Sequence, residues 1–297
     1  MRVPRALIPL LSVCGAAAVV AAAGAGAAID GLPGGGPAHA DGARGVSAVT
    51  VKVTTWNVCG TPAPGCPLGA DPAALTRRIV QQVGGTEAGG HKGGPAAVFL
   101  QEVCSGQVQA LKKSGRRWNW AFAPFTGAPS CAAGQGRPGV AVGAQAPLTG
   151  VRTSPLPSPS RTGRVAVCGD VPSWNTRLCA TQFSVAGEDP SGEWRRKQVD
   201  ALGTLAGTGV RAVVGGDLSD SPGSAVLDPL YRSYDECDQG AGGARSGAGT
   251  AQDWRGAATE KTDYLFVSKG AAASCAVPAA PVASSDHRPL SAVIRFR

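Results

Sequence analysis

The sequence predicts an α/β protein in which two sheets are covered on the outside by helices. Three observations predict it: apolar strand-like runs outnumber helical stretches, several arrive as hairpins, and the longer helical stretches fall between them. With 297 residues and only 16% of them charged, the chain can bury one large core. No internal repeat is visible.

The elements can be justified in chain order. Residues 49–58 read as a strand because Val49, Val51 and Val53 alternate with polar residues ahead of Trp56-Asn57. Asp71 then suits a helix N-cap and Pro72 the first helical position, where a missing N–H costs nothing, so a helix runs through Val83. Residues 84–94 form a glycine-rich loop. A short buried strand over 96–102, a helix over 105–113 and a strand over 118–123 follow. Further strands fit 139–144, 164–168 and 177–184. A helix over 190–206 leads to a strand over 210–215. Residues 240–249 hold too few apolar side chains to pack and read as a flexible loop. The last strands are 262–267 and 290–296.

The N-terminus has the order of a secretory signal: Arg2 and Arg5, an apolar Ala-rich stretch, then Ala38-His39-Ala40 as a small-x-small site. This predicts a signal peptide over 1–40, a short linker over 41–48, a single domain over 49–297, and a secreted product. Two other readings stand beside cleavage: an uncleaved membrane anchor, and lipid attachment at Cys14, which the bulky Val13 disfavours. After cleavage no stable membrane association is expected.

Eight cysteines remain beyond the leader, and an even number in an exported chain argues for disulfides, although eight allow 105 pairings. Geometry supports one pair. Cys168 and Cys179 are equidistant from the centre of Pro172-Ser173-Trp174-Asn175, so a hairpin turning there sets them opposite each other. Chain proximity suggests Cys59 with Cys66, Cys104 with Cys131, and Cys237 with Cys275. Zinc is the rival reading, and no Cys/His spacing supports it. The formal charge of +8 falls to about +7 without Arg2, Arg5 and Asp30, which suits a polyanion such as nucleic acid as readily as it suits simple solubility.

Candidate acids and amides sit where strands meet loops. Asn57 ends the first strand, Glu102 the second, and Asp217 follows Val213-Val214-Gly215-Gly216. Asp263 and the pair Asp286-His287 stand at the start of, or just before, the last two strands. Strand ends on one sheet edge can converge on a cleft where carboxylates and amides hold a hard divalent cation through oxygen. Each alone reads more readily as a cap or turn residue. Five in this order argue against coincidence.

On Thr55-Trp56-Asn57-Val58, Phe99-Leu100-Gln101-Glu102-Val103, Gly216-Asp217-Leu218, Thr262-Asp263-Tyr264-Leu265-Phe266-Val267 and Ser285-Asp286-His287-Arg288-Pro289-Leu290, the chain resembles the endonuclease/exonuclease/phosphatase superfamily. The resemblance covers residues 48–297 and is to the deoxyribonuclease-I-like branch, in a secreted, actinobacterial-type form. Arg195 and Gln198 give a weaker match. The resemblance implies a four-layered α/β sandwich, with two mixed β-sheets packed face to face and helices on the outside. It also implies roles. Glu102 would be the main ligand of Mg²⁺, or of Mn²⁺ or Ca²⁺ in its place, with Asn57 and Asp286 assisting. His287 would touch the scissile phosphate while Asp263 holds its ring, and Asp217 would orient or deprotonate the attacking water.

Two positions depart from the family's pattern. Gln182 stands where members carry histidine and Ser219 where they carry asparagine; both would still face the substrate, but Gln182 has no proton to supply and the Ser219 hydroxyl is shorter than an amide. His91 does not replace the missing histidine, because a strand separates it from Glu102 by roughly 20 Å at ~3.3 Å per residue. The expected function is a secreted, monomeric, metal-dependent hydrolase of phosphate esters, nuclease-like in preference to lipid-directed, since aromatic residues are only 5% and no exposed aromatic hairpin is visible. The alternative is a catalytically impaired member that binds nucleic acid or a protein partner without turnover.

Overall fold

Valine alternation gives the first strand, β1 (Val49–Asn57), whose inward residues Val51 and Val53 are fully buried. The computed structural model describes residues 48–297 except 86, 89, 90, 115–117 and 160, so the expected leader lies outside the described residues. The first helix, α1 (Pro72–Val83), begins as its sequence dictates: the Asp71 carboxylate accepts from the Ala74 N–H at 2.9 Å, and Pro72 fills the first turn. Its buried residues Leu75, Ile79 and Val83 recur every four positions on one face.

The chain continues through the short strands β2 (Glu87–Ala88) and β3 (His91–Lys92), then β4 (Ala97–Cys104), α2 (Ser105–Lys113), β5 (Asn119–Pro124), β6 (Pro138–Ala144), β7 (Thr149–Pro155), β8 (Val165–Val171) and β9 (Thr176–Gln182). It ends with α3 (Glu193–Ala206), β10 (Arg211–Asp217), α4 (Asp228–Ser233), β11 (Tyr234–Glu236), β12 (Asp263–Ser268), β13 (Ala272–Ala276) and β14 (Leu290–Phe296). One six-stranded sheet has the order β13-β14-β1-β4-β6-β5, the other β11-β12-β10-β9-β8-β7. Both are mixed, because β1 runs parallel to β4 and β9 parallel to β10 while the remaining neighbours are antiparallel.

Three apolar layers explain the stacking. Val53, Phe99 and Val142 of the first sheet meet Val167, Leu178 and Leu265 of the second in the central layer. Leu75, Ile79, Val108 and Leu111 of α1 and α2 cover the outer face of the first sheet, and Val199, Leu202 and Leu230 of α3 and α4 cover the second. Each such side chain contributes roughly 1.5–3 kcal/mol on burial. The expected four-layered sandwich is therefore present.

All four expected disulfides are formed, Cys59–Cys66, Cys104–Cys131, Cys168–Cys179 and Cys237–Cys275. Cys168 and Cys179 are direct cross-strand partners on β8 and β9, as the hairpin argument requires. Several elements differ from the sequence reading. The glycine-rich stretch 84–94 contains the β2–β3 hairpin. Strand β7 has no counterpart among the expected strands, because nearly all its residues are exposed and no apolar alternation marks it. The helix expected from 190 starts at Glu193, since Gly192 takes a left-handed φ of +69° that closes a turn.

Candidate active site

The topology brings the singled-out residues to one edge of the sandwich. Parallel β1 and β4 end together, with Asn57 opposite Gln101, and parallel β9 and β10 end together, with Gln182 opposite Asp217. Antiparallel β12 starts at that edge, its Asp263 paired with Asp217. Antiparallel β14 enters beside β1, so the 285–287 segment just ahead of it arrives there too.

Glu102 is aimed by a β-bulge. The register of β4 against β6 shifts between Gln101 and Val103, leaving Glu102 unpaired at a left-handed φ of +55°, which is rare outside glycine. Gly60 packs against this kink and donates its N–H to the Glu102 carbonyl at 3.1 Å; a Cβ on residue 60 would lie 2.1 Å from that oxygen. On the second sheet Gly216 allows the close approach, at φ +141°, of β10 to the Thr181 carbonyl.

Two amides tie the carboxylates together. The Asn57 Nδ2 group donates to Glu102 Oε1 at 3.1 Å and to Asp217 Oδ2 at 3.2 Å, while Gln182 Nε2 donates to the same two oxygens at 2.8 and 3.3 Å. Asn57 thus turns its nitrogen to the carboxylates, and its oxygen accepts from the Cys59 N–H at 3.1 Å. The other Asp217 oxygen accepts from the Ser219 N–H at 2.9 Å and its hydroxyl at 3.0 Å. Gln182 Oε1 is buried with no hydrogen-bond partner among the described residues.

His287 is held from several sides. Its Nδ1–H donates to Asp263 Oδ2 at 2.7 Å, while Nε2 stands 4.0 Å from both Asp217 Oδ2 and Asp286 Oδ1. The Ser285 hydroxyl accepts from the His287 N–H at 3.0 Å and donates to the Asn57 carbonyl at 2.8 Å, and the Trp56 indole donates to the His287 carbonyl at 3.0 Å. Burial works against the imidazolium, but the carboxylates of Asp263, Asp217 and Asp286 outweigh it and raise the ring to about 10. Burial would likewise raise Asp263, yet the His287 charge and hydrogen bond and the Thr250 and Thr262 hydroxyls hold it below the usual carboxylate range. Burial pushes Asp217 up to about 6; His287 opposes the rise, and Asp263 and Glu102 add to it. Asp286 is raised first by burial, against the pull of His287.

A second layer steadies these groups. Thr250, fully buried, accepts from the N–H groups of Thr262 and Asp263 at 3.0 and 2.9 Å. Arg195 donates to the Ser219 carbonyl at 2.7 Å and pairs with Asp189 at 3.4 Å and Asp220 at 3.6 Å. Gln198 bonds the Ser184 N–H and hydroxyl, each at 2.9 Å. No sequence signal marks Thr250, which lies at the end of a glycine-rich loop without periodicity. His91 belongs to β3, ahead of the end of β4 opposite Glu102. Cys59 and Cys66 lie beside Asp286, but bonded to each other they are not thiolate ligands.

A fold of two mixed sheets with acids, amides and one histidine at a shared strand edge defines a hydrolase of the nuclease and phosphatase type. The chain belongs to the endonuclease/exonuclease/phosphatase family, whose sequence model matches residues 54–287. Among solved structures it is similar to the human Nocturnin catalytic domain with bound sulfate, at 18% identity and a TM-score of 0.59, covering 84% of this chain and 97% of that one. It is also similar to a family protein from Bacteroides thetaiotaomicron, at 13% identity and a TM-score of 0.63 over 85% and 97% of the two chains. A third is D. rerio TDP2 complexed with a single-strand DNA product, at 14% identity and a TM-score of 0.58 over 84% and 99%. At these identities the likeness is one of fold. No curated protein matches the sequence.

Proposed function

We propose that the chain is a secreted, divalent-metal-dependent phosphoesterase of one domain, nuclease-like in acting on phosphodiesters. The observation that carries this reading is the placement of His287: Nδ1 is locked by Asp263 at 2.7 Å, and Nε2 faces the space between Asp217 and Asp286, at 4.0 Å from each. A site for Mg²⁺, Mn²⁺ or Ca²⁺ fits the donor set. The hydrogen bonds to Glu102 fall on Oε1, leaving Oε2 without a protein donor among the described residues, and the Asp286 side chain is 39% exposed; oxygen donors of this kind suit a hard cation. Glu102 and Asp286 would hold the ion, and Asn57 would orient Glu102. When bound, the cation supplies charge neutralisation at the phosphate.

The chain's own residues do the rest. His287, as the imidazolium, donates through Nε2–H to a phosphate oxygen and offsets its charge. Asp217 accepts a proton from the water that attacks phosphorus as the ester P–O bond breaks. The Ser219 N–H and hydroxyl keep Asp217 turned to its task. Gln182 donates a hydrogen bond and no proton, so the leaving oxygen departs without acid assistance from that side.

A second reading, a binding module without turnover, draws on one observation: Asn57 and Gln182 both satisfy the same oxygens of Glu102 and Asp217 from within the protein. The test is incubation of the purified mature chain with plasmid DNA, RNA and a bis-aryl phosphate in Mg²⁺, Mn²⁺ or Ca²⁺, with chelator and Asp217→Asn controls. Chelator-sensitive turnover lost in Asp217→Asn is expected; none on any substrate would overturn the enzyme reading. Gln182→His with Ser219→Asn is expected to raise the rate by 10²-fold or more, the order of one restored acid/base group.

A further inference from the structure

Outside the phosphoesterase site, an amine and two carboxylates meet in an arrangement to which phosphate chemistry gives no task. Lys261, just ahead of Asp263, sets its Nζ between two acids, 3.4 Å from Glu236 Oε1 and 3.5 Å from Asp238 Oδ2. The Lys261 and Glu236 side chains are 2% and 0% exposed. A buried ion pair is stable when it closes to the ~2.7–2.9 Å of a charge-assisted hydrogen bond and satisfies both partners. Neither contact is that short, and Glu236 Oε1 has no hydrogen bond among the described residues.

The three groups are held in place. The Lys261 ammonium lies 5.0 Å from the centre of the Tyr264 ring, and Glu236 Oε2 accepts from the Asp238 N–H at 2.9 Å. Cys237, between the two acids, is tied to Cys275 by its disulfide and to the Leu265 carbonyl by its N–H at 3.0 Å. Gly247, at φ +140°, lets the loop cross directly over the pair, since a Cβ there would meet Asp238 Oδ2 at 2.6 Å and Lys261 Cδ at 2.8 Å. Each group suits one part of an amide-forming reaction. Lys261 is a nucleophile once its ammonium gives up a proton. The Asp238 carboxyl is the electrophile, and the Ala248 N–H polarises it by donating to Oδ2 at 2.7 Å, in the manner of an oxyanion donor. Its side chain is 24% exposed, which leaves a way out for water. Burial pushes Glu236 up to about 7 against the pull of Lys261, so near neutral pH it both accepts and donates a proton. An amine and a carboxyl held in contact reach effective concentrations of ~10⁵–10⁸ M, which is what an unactivated carboxyl requires.

We propose that Lys261 and Asp238 join in an intramolecular isopeptide bond, with Glu236 relaying the protons. The Nζ–Cγ bond forms and one Cγ–O bond of Asp238 breaks. Two protons pass from the ammonium by way of Glu236 to the departing oxygen, which leaves as one water. Glu236 ends as it began, the charges of ammonium and carboxylate cancel, and no oxidant or co-reactant is consumed. The bond closes residues 238–261 into a ring. That ring carries Thr250, which accepts the Asp263 N–H, and Ala251, which bridges to His287, so the linked loop steadies the histidine side of the active site.

The test is the intact mass of the purified mature chain, held folded at neutral pH until its mass is constant and then fully reduced. Wild type is expected to be one water lighter than its sequence, and trypsin to release a branched peptide joining Asp238 to an uncleaved Lys261. Asp238→Ala, at the most exposed of the three positions, is expected to show its full sequence mass. Glu236→Gln is expected to slow the loss of water by on the order of 10²-fold, the effect of removing one acid/base group. Wild type at full mass, with trypsin cutting freely after Lys261, would overturn the bond and leave an ion pair. A missing water that persists in Asp238→Ala, or a branched peptide joined through Glu236, would overturn the pairing of Lys261 with Asp238.

Discussion

The His287 imidazolium survives burial only because three carboxylates face it, and that dependence has a measurable sign. Its folded value of about 10 lies above the ordinary 6.5, so its contribution to stability is complete below about pH 6.5 and is lost as pH rises toward 10. Asp263 is shifted down, so its contribution is present above the usual carboxylate range and is lost as pH falls through its lowered value. Urea denaturation of wild type is expected to show stability falling between pH 6.5 and 10, and His287→Gln should flatten that fall; parallel slopes would refute the pairing. In activity, His287→Ala should cost ~10²–10⁴-fold. Asp217, pushed up to about 6, must ionise to accept a proton, so the rate should climb with pH through an acid limb at or below about pH 6, lower where a bound cation adds positive charge.

At the scale of elements, legibility followed burial. Strand β1 and helix α1 were readable because alternation, a capping aspartate and a helical-period apolar face are all local signals. Strand β7 sits exposed at a sheet edge, so its sequence had no face to declare. The bulge at Glu102 depends on the register of β6 and cannot be read from β4 alone, although Glu102 itself was picked out. The same limit hid Thr250, whose hydroxyl accepts the N–H groups of Thr262 and Asp263 from a segment that follows it in sequence. Helix α3 shows how an element supports chemistry it does not touch. Arg195 reaches from its first turn to the Ser219 carbonyl and to Asp189, which is 2% exposed. Arg195→Met should therefore strand buried carboxylates and cost ~3–5 kcal/mol by chemical denaturation. A loss within ±0.5 kcal/mol, as at an ordinary surface site, would show that the network carries no load.

For the molecule as a whole, the disulfides divide between holding the sandwich and shaping the site, and the two tasks can be separated. Cys237 follows β11 of the second sheet, and Cys275 lies in β13 at the edge of the first, so this bridge staples one sheet to the other across 38 residues of chain. Cys59 and Cys66 close a loop of only 7 residues, but the Cys59 sulfur lies 3.1 Å from Asp286 Oδ1. A Cβ on Gly65 in the same loop would meet the Asp286 Cβ at 3.2 Å. Loop-closure entropy assigns about 4 kcal/mol to the long bridge and about 2.4 kcal/mol to the short one. Replacing both cysteines of each pair by alanine should then give opposite profiles. The Cys237/Cys275 variant should lose more stability yet keep its rate, because Cys237 bonds the Leu265 carbonyl and Cys275 pairs with Ala292, with no hydrogen bond from either to Glu102, Asp217, Asp286 or His287 among the described residues. The Cys59/Cys66 variant should lose less stability and most of its activity, because Asp286 loses the loop that backs it. Denaturation midpoints and initial rates measured on both variants decide the matter, and equal activity losses would mean that the short loop does not position Asp286.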